Sequence, residues 1–242
     1  SGSQGSGKTT LLKIIVIVFN KYLNKNVLPL SLDDFYLNIK ERNKLARTVH
    51  PLLKTRGVPG THDIDYLLKI IFKFDNFQYP IKLPVFDKLK DTTKNKKKII
   101  RKKCDILILE GWCCGCTPLT DKYLFSNINV LEKKFDKHKK WRTYYNNQLK
   151  KSYSELFKLF KKSIFIKIPS FLSVFKWRLK QENLLRKKNK NNKFLGYSNK
   201  EIINFIQHYE KITKWMLKTI PYKANLILYL NKKQKIKYLK KK

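Results

Sequence analysis

The sequence predicts an α/β fold in which a mostly parallel sheet lies between two layers of helix. Three observations predict it. Short runs rich in Ile, Leu and Val alternate with stretches of helical periodicity. A glycine-rich segment, Gly2-Ser3-Gln4-Gly5-Ser6-Gly7-Lys8-Thr9, leads straight into a helix-like stretch. Two apolar runs end in carboxylates, Asp33 and Asp34 in one case and Glu110 in the other, and the carboxyl ends of strands are where open α/β sheets bind ligands.

A chain of 242 residues has room for one substantial core and reads as one domain over residues 1–242. Loops of this kind are launched from a buried parallel strand. The chain starts at Ser1, one residue before the loop, so the expectation is an N-terminally truncated fragment whose first strand is missing. Residues 8–23 read as the helix after the loop, and residues 27–32 as a short buried strand ending at Asp33. Asp63 is placed to cap a helix through Tyr66, Leu67, Ile70 and Ile71. Residues 106–109 and 164–168 read as strands, and residues 170–188 have helical spacing. Ser198 and Glu201 have the spacing of a capping box for a helix reaching about Thr219. Residues 225–230 read as the last strand, followed by a frayed lysine-rich tail. The lysine runs at 94–103 and 186–193 lack apolar periodicity and read as surface loops or mobile flaps.

The formal charge is +38, carried by 48 Lys and only seven Arg. The excess of Lys, Asn, Ile, Phe and Tyr is what AT-rich codons encode, so the charge reads as a solvated lysine-rich surface. A dedicated phosphate-backbone binder would use more Arg, whose planar fork fits phosphate better, so nucleic acid is not the expected partner. No signal peptide and no apolar run near the ~20 residues of a membrane span are visible, which points to a cytoplasmic protein with reduced thiols. Cys113-Cys114-Gly115-Cys116 lacks the spacing of a zinc site and, with Cys104, reads as packing. Nothing in the sequence specifies an oligomeric state.

The glycine-rich segment fits G-x-x-x-x-G-K-[ST] at every fixed position, and physical chemistry explains those residue types. Glycines let backbone N–H groups wrap an anion without an obstructing Cβ, and the helix that follows offers its positive end. Gly2 to Thr10 would therefore hold ATP. Lys8 would reach the β- and γ-phosphates, and the Thr9 hydroxyl would join the shell of Mg²⁺. The fold expected is thus the three-layer P-loop NTPase type.

In Ser31-Leu32-Asp33-Asp34-Phe35-Tyr36 an acid at the strand end can take a proton from a substrate hydroxyl or help hold magnesium; alternatively one of the pair caps the next turn. Glu110, closing Asp105-Ile106-Leu107-Ile108-Leu109, has the position of a magnesium-binding or nucleophile-orienting carboxylate. Arg56-Gly57-Val58-Pro59-Gly60-Thr61-His62-Asp63 reads as a loop that fixes a small polar substrate, or as a plain turn before a helix. Leu83-Pro84-Val85-Phe86-Asp87-Lys88 reads as a further loop at the site's edge. Arg178 and Arg186, on one helical pattern, are either lid arginines that stabilise a transferring phosphoryl group or, for Arg178, an ion-pair partner of Glu182.

In order along the chain, GSQGSGKTT, SLDDFY, RGVPGTHD, LPVFDK and LEGW resemble the D-glycerate 3-kinase family, part of the wider phosphoribulokinase, uridine kinase and pantothenate kinase superfamily. KWRLKQENLLR at 176–186 and the pattern at 196–210 are similar as well. The resemblance implies an ATP-dependent small-molecule kinase with Asp33 as catalytic base and Glu110 as a metal-binding carboxylate. It also implies a lid at Arg178 and Arg186; the substrate contacts expected from the strand-end acids and the two loops are Asp34, Tyr36, Arg56, His62, Asp63 and Lys88. Its partners would be ATP with Mg²⁺ and a small glycerate-like alcohol. The chain departs from the pattern after LPVFDK, where Leu89-Lys90-Asp91-Thr92-Thr93 replaces an Arg- and Gly-rich stretch. The rival readings are an ATP-binding protein with little turnover and a nucleic-acid-associated NTPase.

Overall fold

The computed structural model describes residues 1–88, 90–188 and 198–242, apart from the side chains at 181–182 and 185–188. Helix α1 (Lys8–Tyr22) starts at Gly7, whose φ of 89° would strain any other residue. Strand β1 (Val27–Ser31) passes into a single 3₁₀ turn, Leu32–Phe35, that carries both acids. Helix α2 (Ile39–Thr48) opens with a capping box between Asn38 and Glu41. Helix α3 (Ile64–Asp75) is capped by Asp63, whose carboxylate accepts from the Tyr66 N–H, as its sequence predicts.

The short strands β2 (Ile81–Leu83), β3 (Phe86–Asp87), β4 (Thr92–Thr93) and β5 (Lys98–Ile100) precede β6 (Ile106–Glu110). Helices α4 (Asp121–Phe125), α5 (Val130–Phe135), α6 (Lys140–Lys150) and α7 (Ser152–Lys158) follow. Strand β7 (Ile164–Lys167), helices α8 (Phe171–Lys188) and α9 (Asn199–Thr219), and strands β8 (Leu226–Leu230) and β9 (Ile236–Lys241) complete the order. The Ser198–Glu201 capping box opens α9, as expected.

Parallel pairing dominates the central strands. Strand β1 pairs with β6 so that Ser31 lies opposite Glu110, and β7 pairs with β8. Ser1 and Gly2 lie alongside β7: the Ile166 N–H donates to the Ser1 carbonyl at 2.8 Å, and Gly2 bridges Ile166 in the parallel sense. Strand alternation feeds two cores. Phe165 and Ile227 join the larger, with Leu28, Leu30, Leu67, Tyr145 and Tyr153; Ile166, Leu228 and Leu230 join the smaller, with Val174, Trp177, Ile202 and Ile206. Helices therefore cover both faces of this sheet, the arrangement that makes its strands read as unbroken apolar runs. Each such fully buried side chain contributes about 1.5–3 kcal/mol.

Two lysine-rich segments differ from expectation. The tail after β8 is strand β9, paired antiparallel with β8 and holding Tyr238 flat against Tyr229 with ring centroids 4.2 Å apart. All of β9 is exposed, and lysines on such an edge discourage pairing with another chain. What looks like a solvated tail is thus a protected edge strand. Within residues 94–103, Lys98–Ile100 is strand β5, paired antiparallel with β2 while Ile100 packs on the core. Of the lysine run at 186–193, residues 189–193 lie outside the described residues.

Helices α5, α6 and α9 meet at a buried ionic cluster. The Arg142 guanidinium donates to Asp136 at 2.8 Å and lies 3.4 Å from Glu132, and the Lys211 ammonium lies 3.2 Å from Glu132. All four cysteines are free and buried. Among the described residues no helix is long and apolar enough to cross a membrane, and no group of three or more His, Cys, Asp or Glu could hold a metal ion.

Candidate active site

The glycine-rich loop is shaped for an anion. No side chain caps the N-terminus of α1 and no acid stands in its first turn, so the helix's positive end is open. The Lys8 ammonium donates to the Ser3 carbonyl at 3.0 Å and has no carboxylate partner among the described residues. The buried Ser6 Oγ has no hydrogen-bond partner among the described residues. These donors suit a polyphosphate.

Opposite the loop stands Glu110, buried at the end of β6. Its Oε1 accepts from the hydroxyls of Thr9 at 2.9 Å and Ser31 at 3.0 Å. A carboxylate, two hydroxyls and the nearby Asp33 form an all-oxygen donor set. That set fits magnesium, which typically rests on one or two carboxylates and takes its remaining ligands from phosphates and water.

Asp33 lies half-buried on the 3₁₀ turn. Its Oδ1 accepts from the Tyr36 hydroxyl at 3.1 Å, and its Oδ2 lies 2.7 Å from the Lys88 ammonium. Burial pushes this carboxyl up, but Lys88 foremost, with Lys8 and His62, pulls it further down, leaving it below its ordinary value. The turn that carries Asp33 follows directly on Ser31, whose hydroxyl donates to Glu110. Asp34 does something else: its carboxylate accepts the Phe86 N–H at 3.3 Å and ties β3 to the turn, and burial raises it.

Residues 35–37 and 61–63 join through an isolated antiparallel bridge. The Leu37 N–H donates to the Thr61 carbonyl, the Asp63 N–H donates to the Phe35 carbonyl, and Tyr36 bridges His62. The Tyr36 ring stacks on the His62 ring with centroids 4.4 Å apart. This pairing brings the second and third sequence motifs together. His62 is buried, and that burial drives it down to about 4, so its ring is neutral at neutral pH. Asp63 is exposed and occupied as the α3 cap.

Arg56 pairs with Asp91, and its guanidinium lies 5.5 Å from the Phe86 ring centroid. Asp91 also binds the buried Arg42 at 2.7 Å. Arg178 lies over the Phe205 ring at 5.8 Å and acts electrostatically on the Tyr209 hydroxyl, which also feels Asp33 and Arg56. The Glu182 and Arg186 side chains lie outside the described residues, so the expected Arg178–Glu182 pair and lid contact of Arg186 do too.

Several residues here escaped sequence reasoning. The Tyr209 hydroxyl donates to the Arg56 carbonyl at 2.8 Å, and Gly57 passes so close that a Cβ would lie 2.4 Å from that oxygen. The Gln234 amide donates to the Gly5 carbonyl at 2.8 Å. Tyr153 contacts His62, and Asp91 gathers two arginines. Single Tyr and Gln residues far along the chain carry no local signal; for Asp91, an acid amid lysines, the run of positive charge was the only hint.

No protein-family model matches the chain. It is 29% identical over 236 residues, 93% of this chain and 82% of the relative, to the uncharacterized kinase mug58 of Schizosaccharomyces pombe. It is 26% identical over 231 residues, 91% of this chain and 47% of the relative, to the chloroplastic D-glycerate 3-kinase of Arabidopsis thaliana. Among solved structures, the YGR205w protein superposes with a TM-score of 0.80 at 27% identity, covering 99% of this chain and 87% of that one.

Proposed function

We propose that this chain, a P-loop kinase with an alcohol as acceptor, moves the γ-phosphoryl group of ATP onto a hydroxyl of a small carboxylate-bearing alcohol of the glycerate class, with residues 1–242 acting as one kinase domain. The observation that carries the reading is the convergence of Lys8 and Thr9 from the loop, Glu110 from β6, and Asp33 beside Lys88 and His62. The whole-chain likeness to a D-glycerate 3-kinase supports the acceptor class.

The chemistry then follows from the side chains. Loop N–H groups and Lys8 hold the phosphates and offset the charge that develops on the transferring group. Thr9, Glu110 and Asp33 are the residues that would hold magnesium, which supplies further charge neutralisation. Lys88 is 61% exposed and free to swing. An acceptor carboxylate that draws Lys88 away leaves Asp33 a stronger base, ready to take the hydroxyl proton as the oxygen meets phosphorus in line. Phosphoryl transfer asks mainly for positioning and charge, so no covalent enzyme intermediate is required.

The test is ADP release by the protein with ATP and magnesium across a panel of hydroxy acids, nucleosides and pantothenate. Turnover with D-glycerate and no response to nucleosides supports the proposal. Turnover with another alcohol alone rejects the acceptor and keeps the reaction, whereas stimulation only by RNA or DNA rejects both.

A further inference from the structure

We infer that Tyr153, a buried residue of α7 outside every motif, fixes the tautomer of His62 so that His62 presents its Nε2–H as a donor to the phosphoryl acceptor. This rests on reading the pocket beside Asp33 as the acceptor site. The Tyr153 ring is 0% exposed. Among the described residues its hydroxyl has two hydrogen-bond partners: it accepts the Gly60 N–H at 3.1 Å, and it lies 2.5 Å from His62 Nδ1.

Those two contacts decide where the proton sits. The Gly60 N–H can only donate. The phenolic proton needs an acceptor, and among the described residues Nδ1 is the one within reach. In the reverse arrangement Nδ1–H would donate to Tyr153 and leave the phenolic proton buried without a partner, which is disfavoured for a buried polar group. Nδ1 therefore accepts, and in a neutral imidazole the other nitrogen carries the hydrogen. Burial keeps both partners in the forms required: the imidazole is driven to about 4, and the Tyr153 phenol is held well above its ordinary value.

Nε2 makes no hydrogen bond among the described residues and is not sealed from solvent. The ring lies flat against Tyr36, whose hydroxyl donates to Asp33. Arg56 is engaged by Asp91, and Lys88, the cation that an acceptor carboxylate would draw, rests on Asp33. His62 is instead an uncharged donor beside the proton-accepting carboxylate, suited to orient an oxygen of the acceptor without attracting Asp33 itself. Tyr153 is thus a positioning residue that acts through His62.

The first experiment needs no substrate. Long-range proton–nitrogen correlation of the histidine rings in the intact protein should show His62 in the Nε2–H form. The Nδ1–H form there overturns the inference. In Tyr153→Phe, the His62 ring should lose that single tautomer. The KM for D-glycerate should rise about tenfold, with the KM for ATP unchanged, as expected for one lost hydrogen bond to a charged group. His62→Phe should give the same rise, and adding Tyr153→Phe to it should change nothing more. An unchanged D-glycerate KM in Tyr153→Phe, or additive effects in the double variant, contradicts the inference. If Tyr153→Phe does not fold, His62→Phe and the ring spectrum of the unaltered protein decide the question. A wild type that turns over a different alcohol fails only the glycerate reading, and the same KM comparison is then made with that alcohol.

Discussion

The Thr9 hydroxyl donates to Glu110 Oε1 at 2.9 Å, joining the first turn of α1 to the end of β6 across 101 residues of chain. Ser31 donates to the same oxygen from β1, directly opposite Glu110 in the parallel pair. One carboxylate oxygen thus registers the phosphate loop, the strand that carries Asp33 and the strand that carries Glu110. The glycine loop and the acids are useful together only if this registration holds.

Glu110→Gln keeps the shape and the two accepted hydroxyls but removes the charge. The expected outcome is a fall in kcat of about 10²-fold or more, the size of losing one preorganised electrostatic element. Magnesium-free ATP binding should be little changed. Steady-state ADP release and nucleotide titration by fluorescence measure the two quantities.

Lys88→Met tests the pairing with Asp33. Burial alone would raise this carboxyl, and the nearby cations, Lys88 foremost, bring it below its ordinary value. A depressed carboxyl stabilises the fold at pH above its unfolded value, and that contribution is lost as pH falls through the folded value. Without Lys88, Asp33 titrates higher, so the acid limb of the kcat/KM profile should move to higher pH. The D-glycerate KM should rise about tenfold through the lost charge-assisted contact. A profile identical to the wild type contradicts the pairing.

Gly57→Ala tests the close approach of Tyr209. Its φ is +136°, and an added Cβ would meet the Tyr209 hydroxyl at 2.4 Å. Strain and overpacking together should cost about 1–3 kcal/mol in urea unfolding. Because Tyr209 also holds the Arg56 carbonyl, acceptor KM should rise more than ATP KM.

Arg142→Met removes one cation from the buried cluster. Glu132 and Asp136, at 0% and 1% exposure, keep fewer partners. Breaking a buried pair on one side typically costs about 3–5 kcal/mol, so denaturant unfolding should show a loss of that order. The protein that remains folded should keep its kcat, since the cluster touches none of the loop or strand-end residues.

Sequence legibility followed the range of the interactions. Gly2 to Thr9 and the acids at 33 and 110 were readable because an anion loop and strand-end carboxylates carry their chemistry in a few consecutive residues. The caps at Asp63 and Ser198 were readable for the same reason. Strand β9 was not, because its identity lies in backbone pairing with β8 and its lysines resemble a disordered tail. Tyr153, Tyr209 and Asp91 act across 93, 153 and 35 residues on their partners. A lone tyrosine in a helix says nothing about which distant glycine or histidine it will meet. Asp34 and Asp63 were singled out as substrate residues by position, while their hydrogen bonds serve β3 and α3.

The central claim, that Asp33 faces a phosphoryl group held by Lys8 and the loop, is tested most directly by Asp33→Asn. Both ATP·Mg²⁺ binding and acceptor-dependent ADP release should be measured on that variant. The account predicts ATP affinity within about twofold of wild type and transfer reduced about 10²–10⁴-fold, the range for a lost general base. Undiminished transfer by Asp33→Asn, or a wild type with no affinity for ATP, would contradict it.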